Sequence, residues 1–197
     1  MRPEGKSVKV ISIVVLLLVA VSFTACNGDD TSNTNTPVIS APPKTTIPMP
    51  PLNGKSLGDL GWSLATGSRA TVSQQHGKVL ILDFYATWCL PCRESIPHLV
   101  ELQHRYEKDL SVVGLNVGGP DDLAKVPNFA NEFKIQYPLG VPEDELVSFL
   151  LSDSDAIPQT FIFDRKGQLI ERFVGFGETT GEAINEVVEK AVQSNAE

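Results

Sequence analysis

The sequence predicts an α/β fold in which a central mixed sheet is flanked by helices. Two nearly continuous apolar segments, residues 78–86 and 110–117, have the composition of strands that are buried on both faces. A helical pattern of apolar residues lies between them, over residues 89–108, so this part is interpreted as a right-handed βαβ unit. Two later strands joined by a short turn, within residues 160–176, predict an antiparallel hairpin. Parallel and antiparallel pairs together make the predicted sheet mixed.

The first 25 residues have the features of an export signal. Arg2, Lys6 and Lys9 form a basic start. The apolar segment that follows, residues 10–23, is shorter than the roughly 20 residues that span a bilayer comfortably. Small residues then follow, in the sequence FTAC. A basic start, a short apolar middle and a small-residue end predict a signal peptide.

The end of this signal, TAC, resembles the signal of bacterial lipoproteins, in which the cysteine is lipidated and becomes the new N-terminus. The resemblance implies a lipid on Cys26 and attachment to a membrane through that lipid. It also implies a location that faces the periplasm or the outer side of the cytoplasmic membrane. Phe23 departs from the leucine that usually stands three residues before the cysteine. An uncleaved anchor and an ordinary cleaved signal are the alternatives.

Residues 26–56 are predicted to form a disordered tether, and residues 57–197 the globular domain. Thr, Asn, Ser and Pro dominate the tether, and nothing in it is periodic. Such a segment cannot bury enough apolar surface to offset its ordering entropy, and its prolines favour extended conformations. The chain has three cysteines, so a lipidated Cys26 leaves one pair, Cys89 and Cys92.

The remaining elements of the domain follow from local patterns. Residues 62–72 predict two short strands around a Gly-Ser turn, and residues 121–133 predict a helix. Residues 137–151 predict a short extended piece and then a helix that has Pro142 at its first position. The last helix is predicted from about Thr179, where Thr179 and Glu182 have the spacing of a capping box.

Cys89 and Cys92 are predicted to be a redox pair. Cys89 follows a buried strand where a helix begins, and the positive end of a helix favours a thiolate, which is the nucleophilic form. Cys92 lies within one turn, so it can attack a mixed disulfide and release the partner. A structural staple is the weaker alternative because so small a loop contributes only about 2 kcal/mol. A metal site is also weaker because the chain has only three histidines and no second cysteine pair.

The sequence LDFYATWCLPCRESIP resembles the active site of thioredoxin-fold proteins. The export signal, the chain length and the lead-in ATWC are most similar to the TlpA/ResA-like thiol–disulfide oxidoreductases of the AhpC/TSA-redoxin superfamily. The resemblance covers about residues 57–192. It implies a three-layer thioredoxin-like fold with an N-terminal hairpin and an extra strand–helix insert between Val117 and Leu151. It also implies that the redox-active disulfide is the only cofactor and that no metal is needed.

The same resemblance implies the residues of the site. Cys89 is implied to be the exposed nucleophile and Cys92 the buried resolving thiol, with Trp88 and Pro91 beside the pair. Pro97 is the proline inside the helix. Pro158 is the cis-proline, and Ile157 before it presents its backbone to substrate.

Two acidic residues lie close to the cysteine pair in the sequence. Asp83 lies on an otherwise apolar strand, where burial raises the pKa of a carboxyl. Thioredoxins have an aspartate here that moves the proton of the buried cysteine, so Asp83 is predicted to be catalytic; contact with solvent or a backbone partner is the alternative. Many ResA-like proteins have a glutamate where this chain has Ser95. Glu94 is one residue earlier, about 100° around a helix, so that role is not assigned to it.

The resulting hypothesis is an extracytoplasmic oxidoreductase that exchanges disulfides with exported proteins. The resemblance implies a reductase that is served by a membrane thiol–disulfide electron donor, with cytochrome c apoproteins as a substrate class. The alternatives are a thioredoxin-fold peroxidase and a non-catalytic metal-binding or adaptor lipoprotein. Peroxiredoxins usually have a threonine three residues before the nucleophile, where this chain has Ala86. The net charge of −8 and the lack of a basic patch argue against nucleic acid.

Overall fold

The computed structural model of the protein describes residue 52 and residues 54–194. The predicted signal peptide, Cys26 and most of the predicted tether lie outside these residues. The strands in the described part are β1 (Gly61–Leu64), β2 (Arg69–Thr71), β3 (Val79–Tyr85), β4 (Leu110–Asn116), β5 (Leu139–Pro142), β6 (Gln159–Phe163) and β7 (Leu169–Val174). The α-helices there are α1 (Leu90–Arg105), α2 (Pro120–Leu123), α3 (Val126–Phe133), α4 (Asp144–Leu150) and α5 (Glu178–Gln193). No helix in this part of the chain is long and apolar enough to cross a bilayer.

The seven strands form one mixed sheet in the order β2-β1-β5-β4-β3-β6-β7. Strand β3 is parallel to β4 and antiparallel to β6, and β4 is also parallel to β5. All seven residues of β3 are buried, as the continuous apolar sequence predicted. The predicted α/β fold is confirmed, including the N-terminal hairpin of β1 and β2 and the insert that supplies β5 and α4.

Side chains along β3 point alternately to the two faces of the sheet, and each face is covered by a separate apolar layer. Leu80, Leu82 and Phe84 pack on one face with side chains of helix α4. Val79 and Ile81 pack on the other face with side chains of α1 and α5. Successive side chains of a strand point to opposite faces, so one strand holds both layers together. This arrangement gives the predicted three layers and places α1, with its cysteines, on the second face.

Two predictions in the insert are wrong. Residues 121–133 form two helices, α2 and α3, instead of one. Pro127 lies in the first turn of α3, where its missing N–H breaks no helical bond, whereas in a longer helix it would remove one. Pro142 ends strand β5 and pairs with Trp62 of β1, and helix α4 begins only at Asp144. The local sequence pattern could not show that strand β1 pairs with this residue and makes it part of the sheet.

The capping box predicted for the last helix is also absent. Helix α5 begins at Glu178 with Gly177 at the N-cap, so Thr179 and Glu182 both lie inside the helix. The helix packs through its apolar residues Ile184 and Val188, which are fully buried against β3 and α1. The predicted last helix is therefore present, but the side-chain spacing at its start did not locate its first residue.

Candidate active site

A disulfide joins Cys89 and Cys92 at the start of helix α1, with their Cα atoms 5.3 Å apart. Cys89 is the N-cap residue, and the N–H of Cys92 donates to its Sγ at 3.2 Å. Pro91 occupies the first turn, where a proline costs no helical hydrogen bond. In the reduced state, the helix dipole and the same N–H favour a thiolate on Cys89. The local sequence therefore places the sulfur of Cys89 where its reactivity is raised.

The two cysteines differ in access. Cys92 is fully buried, whereas 5% of Cys89 reaches the surface. On either side of Cys89, Trp88 and Leu90 are large apolar residues that are 65% and 67% exposed. An incoming disulfide can therefore reach only Cys89, and it meets an apolar rim there. This difference supports the predicted assignment of attacking and resolving thiols.

The loop before β6 lies directly beside the disulfide. The Ile157–Pro158 peptide is cis, as the resemblance predicted. The carbonyl oxygen of Ile157 lies 3.6 Å from Sγ of Cys89. Ile157 also packs against the apolar cluster that contains both cysteines. The fold therefore brings together residues 68 positions apart in sequence, and it places a backbone edge next to the reactive sulfur.

Asp83 is buried on the same face of β3 as helix α1. It lies between Ile81, which packs with α1 and α5, and Tyr85, which packs with both cysteines. Oδ1 accepts a hydrogen bond from the hydroxyl of Thr160 at 2.8 Å, and Oδ2 has no partner in the described residues. Burial raises the pKa of the Asp83 carboxyl to about 7, and the Thr160 bond offsets only part of the effect. Asp83 can therefore gain and lose a proton near neutral pH.

The helical position of the family's glutamate is filled by a small polar residue. Ser95 is buried, and its hydroxyl donates to the carbonyl oxygen of Cys92 at 2.9 Å. Glu94 is exposed on the outer side of α1. This exposure gives no support for an active-site role of Glu94.

A buried carboxylate that sequence reasoning missed anchors the loop before Cys89. Oδ2 of Asp122 accepts from the N–H of Thr87 at 2.9 Å and from Nδ2 of Asn116 at 2.8 Å. Oδ1 accepts from the Thr87 hydroxyl. Burial opposes ionisation of Asp122, but these hydrogen bonds outweigh it and hold the pKa of the carboxyl below its ordinary value. Gly118 leaves room for the carboxylate, because a Cβ at that position would overlap it.

Helix α3 of the insert forms a wall of the same site. Phe129 stacks on Tyr85 with their rings 5.6 Å apart, and it packs with both cysteines. The Arg93 guanidinium lies 4.8 Å from the centre of the Phe133 ring and forms an ion pair with Glu132. These contacts join helix α1 to the insert immediately after the redox pair. In the sequence, the only indication of these contacts was the spacing of apolar residues in the insert.

The described residues contain no group of three or more His, Cys, Asp or Glu side chains that could hold a metal ion. Both active-site sulfurs are used in the disulfide, which is itself a redox group. The disulfide can therefore undergo thiol–disulfide exchange with Cys89 as the accessible sulfur, and Asp83 is a buried proton-binding group on the strand that precedes it.

Comparisons with known proteins agree with this chemistry. The AhpC/TSA family matches residues 54–172. The chain is 30% identical over 128 residues to the thioredoxin-like protein YneN of Bacillus subtilis, covering 62% of this chain and 71% of that protein. It is 27% identical over 176 residues to the thiol–disulfide oxidoreductase ResA of Geobacillus kaustophilus, covering 89% and 91%. A putative thiol:disulfide interchange protein DsbE from Chlorobium tepidum has a similar crystal structure, with a TM-score of 0.60, 26% identity and coverage of 70% and 96%.

Proposed function

The chain belongs to the AhpC/TSA family and is a thiol–disulfide oxidoreductase, and on that premise we propose that it reduces disulfides of exported proteins outside the cytoplasmic membrane. The observation that carries the proposal is the position of Cys89. Its sulfur caps helix α1 and faces the Ile157 carbonyl at 3.6 Å, between two exposed apolar residues. This geometry suits an extended protein segment that lays its own disulfide against Cys89.

The proposed reaction has two exchange steps. The Cys89 thiolate attacks one sulfur of the substrate disulfide, so a mixed disulfide forms and the other substrate sulfur leaves as a thiolate, which takes a proton from solvent. Cys92 then transfers its proton to the Asp83 carboxylate and attacks Sγ of Cys89. The Cys89–Cys92 disulfide forms, and the second substrate sulfur is released. Two electrons pass to the substrate, and a membrane thiol–disulfide donor restores the dithiol.

Cytochrome c apoproteins are a substrate class that fits a reductase in this location, because haem attachment needs reduced thiols. Two alternative functions have less support from the site. The hydroxyl of Thr87 donates to Asp122 and therefore has no proton left to donate to a peroxide beside Cys89. The described residues show no metal-ligand cluster that would suit a metal-binding lipoprotein. Support for the reductase rests on the disulfide, its apolar rim and the adjacent backbone edge.

Replacing Cys92 with serine in the full-length protein is expected to trap mixed disulfides in the native envelope, because Cys89 can attack but no thiol can release the product. The adducts are separated on non-reducing gels and identified by mass spectrometry, and they should be exported proteins that contain cysteine. The control is the double variant Cys89→Ser/Cys92→Ser, which should form none. If Cys92→Ser traps nothing and the wild-type protein exchanges no disulfide in solution, the proposed function is wrong.

The direction of the reaction is measured in the same cells by rapid alkylation of thiols. For a reductase, most of the wild-type protein should have free thiols on Cys89 and Cys92, because the membrane donor keeps the pair reduced. A pair that is found largely as the disulfide would contradict the reductase direction while leaving the exchange chemistry intact.

Membrane attachment is proposed to depend on a lipid at Cys26. We expect wild-type cells to incorporate a labelled fatty acid into the protein, and Cys26→Ser to lose both the label and sedimentation with membranes. A single acyl chain gives only marginal membrane binding, so stable attachment needs the two or more chains of a lipoprotein anchor. Retention of the Cys26→Ser variant on membranes, with no label in the wild type, would exclude the lipid anchor.

A further inference from the structure

The backbone of the loop before β6 is held from inside by one side chain. Gln159 follows the cis-proline and is completely buried. Its Nε2 donates to the carbonyl oxygen of Ser154 at 2.9 Å and to that of Ala156 at 2.8 Å. The carbonyl of Pro158 accepts from the N–H of Gly175 at 2.8 Å. The carbonyl of Ile157, between these anchored groups, faces the sulfur of Cys89.

The orientation of the Gln159 amide is set by an arginine on the neighbouring strand. Nε of Arg172, on β7, donates to Oε1 of Gln159 at 3.0 Å. Nη1 of Arg172 donates to both carboxylate oxygens of Asp153, at 2.8 and 2.9 Å. The guanidinium lies 5.5 Å from the centre of the Phe161 ring, and only 5% of the Arg172 side chain is exposed. The arginine is thus fixed on three sides.

The contacts form one continuous chain from Asp153 through Arg172 to Gln159 and the loop carbonyls. Asp153 lies just before this loop, and Gln159 lies just after it. Both ends of the loop are therefore tied to the same guanidinium. None of the hydrogen bonds of these three side chains goes to Cys89 or Cys92, so an effect on exchange is expected to act through the loop.

We propose that Arg172 and Gln159 are positioning residues that hold the Ile157 backbone in place for an extended segment of a protein substrate. The inference rests on the proposed function and extends it to the recognition of substrate main chain. A backbone edge that is already ordered costs little entropy when a strand docks on it, so preorganisation strengthens binding. A small disulfide has no such strand to dock and gains nothing from the ordered loop.

The test is the variant Arg172→Met, which fills much of the space of the arginine and removes its hydrogen bonds. The full-length protein is compared on two probes, the disulfides of insulin and the small disulfide dithiobis(nitrobenzoate). We expect KM for insulin to rise about tenfold, with kcat within about twofold of wild type. The loop is then no longer held in place, so the entropy cost of ordering it opposes substrate docking. Both constants for the small disulfide should stay within about twofold of wild type.

The matched control is Arg165→Met. Arg165 is also a hydrogen-bonded, ion-paired arginine, and it contacts Gly77, Asp109 and Val192. Its loss should lower the melting temperature and leave the insulin KM unchanged. Arg172→Lys keeps the charge beside Asp153 but lacks a second nitrogen for Gln159. It should raise the insulin KM in the same direction, and it replaces Arg172→Met if that variant does not fold.

An Arg172 variant that changes both probes by the same factor, or neither probe, would overturn the inference while the proposed function stands. A wild-type protein that reduces neither disulfide would overturn the proposed function itself, and this inference with it.

Discussion

Asp83→Asn is expected to be more stable than the wild-type protein at pH 8, by a pH-dependent contribution of about 4 kcal/mol. The carboxyl is fully buried and its pKa in the folded protein is about 7, against an ordinary value of 3.8. Asparagine has the shape of the protonated acid and can still accept the hydrogen bond from Thr160. It carries no charge to desolvate at any pH.

The sign of this effect follows from proton binding. Between about pH 4 and pH 7, the folded wild-type protein keeps the proton on Asp83 while the unfolded chain releases it. Rising pH therefore favours unfolding over this range, and the loss levels off above pH 7, where the folded state also ionises. The stability difference between Asp83→Asn and the wild-type protein should be smallest near pH 4 and should reach its full size at pH 8.

Urea unfolding of both proteins at pH 4, 6 and 8, with the disulfide intact, measures this difference. A difference that stays constant with pH would show that Asp83 does not hold a proton in the fold. In the proposed mechanism, the same substitution also slows release of the mixed disulfide at neutral pH, because Cys92 loses its proton acceptor. The substitution should thus raise the free energy of unfolding and lower the rate of mixed-disulfide release. Loss of packing would not raise the free energy of unfolding.

Asp122→Ala is expected to lower the free energy of unfolding by about 3 kcal/mol. The carboxylate accepts three hydrogen bonds, two from Thr87 and one from Asn116, and all of these groups are buried. Alanine leaves those donors without a partner in a place that water reaches poorly. Thr87 lies two residues before Cys89, so we also expect slower exchange with both large and small disulfides.

The neighbouring residue provides the control. Asp121 lies on the same short helix and is exposed, so Asp121→Ala should change the stability by no more than about 0.5 kcal/mol. Urea unfolding of the two variants at pH 7 makes the comparison. If Asp122→Ala lies within the range of Asp121→Ala, the buried carboxylate does not anchor the loop.

Much of the fold was predictable because its signals are local. The continuous apolar sequence of β3 and the helical spacing that follows Cys89 predicted a buried strand that leads into a helix, which is what the structure contains. The boundaries were less predictable. Pro142 has the properties of a first helical residue, but pairing with Trp62 places it in a strand. Sheet pairing competes with helix capping there, and the partner strand is 80 residues away in sequence.

In the candidate site, too, some residues could be proposed from the sequence and others could not. The cysteines could be proposed from a short motif, whereas the cis-proline loop and the role of the acidic residue on β3 were implied only by the resemblance to a known family. The structure places Ile157 in the apolar cluster of the cysteines, and Asp83 accepts a hydrogen bond from Thr160, two residues after the cis-proline. The supporting residues could not be proposed. Asp121 and Asp122 look alike in sequence, yet only Asp122 is buried against the loop before Cys89. Gln159 and Arg172 carry no motif, and their role depends on how β6 and β7 pair.

The sequence by itself favoured the redox chemistry over a staple or a metal site, because two cysteines one helical turn apart after a buried strand combine a thiolate-favouring helix start with a resolving thiol. It also determined the fold class, because apolar periodicity shows which segments are strands and which are helices. Tertiary structure alone decided the environment of each polar group. The pKa of Asp83 and the anchors of the Ile157 loop come from desolvation and from hydrogen bonds between distant segments. Those quantities depend on which segments meet, and no local pattern contains that information.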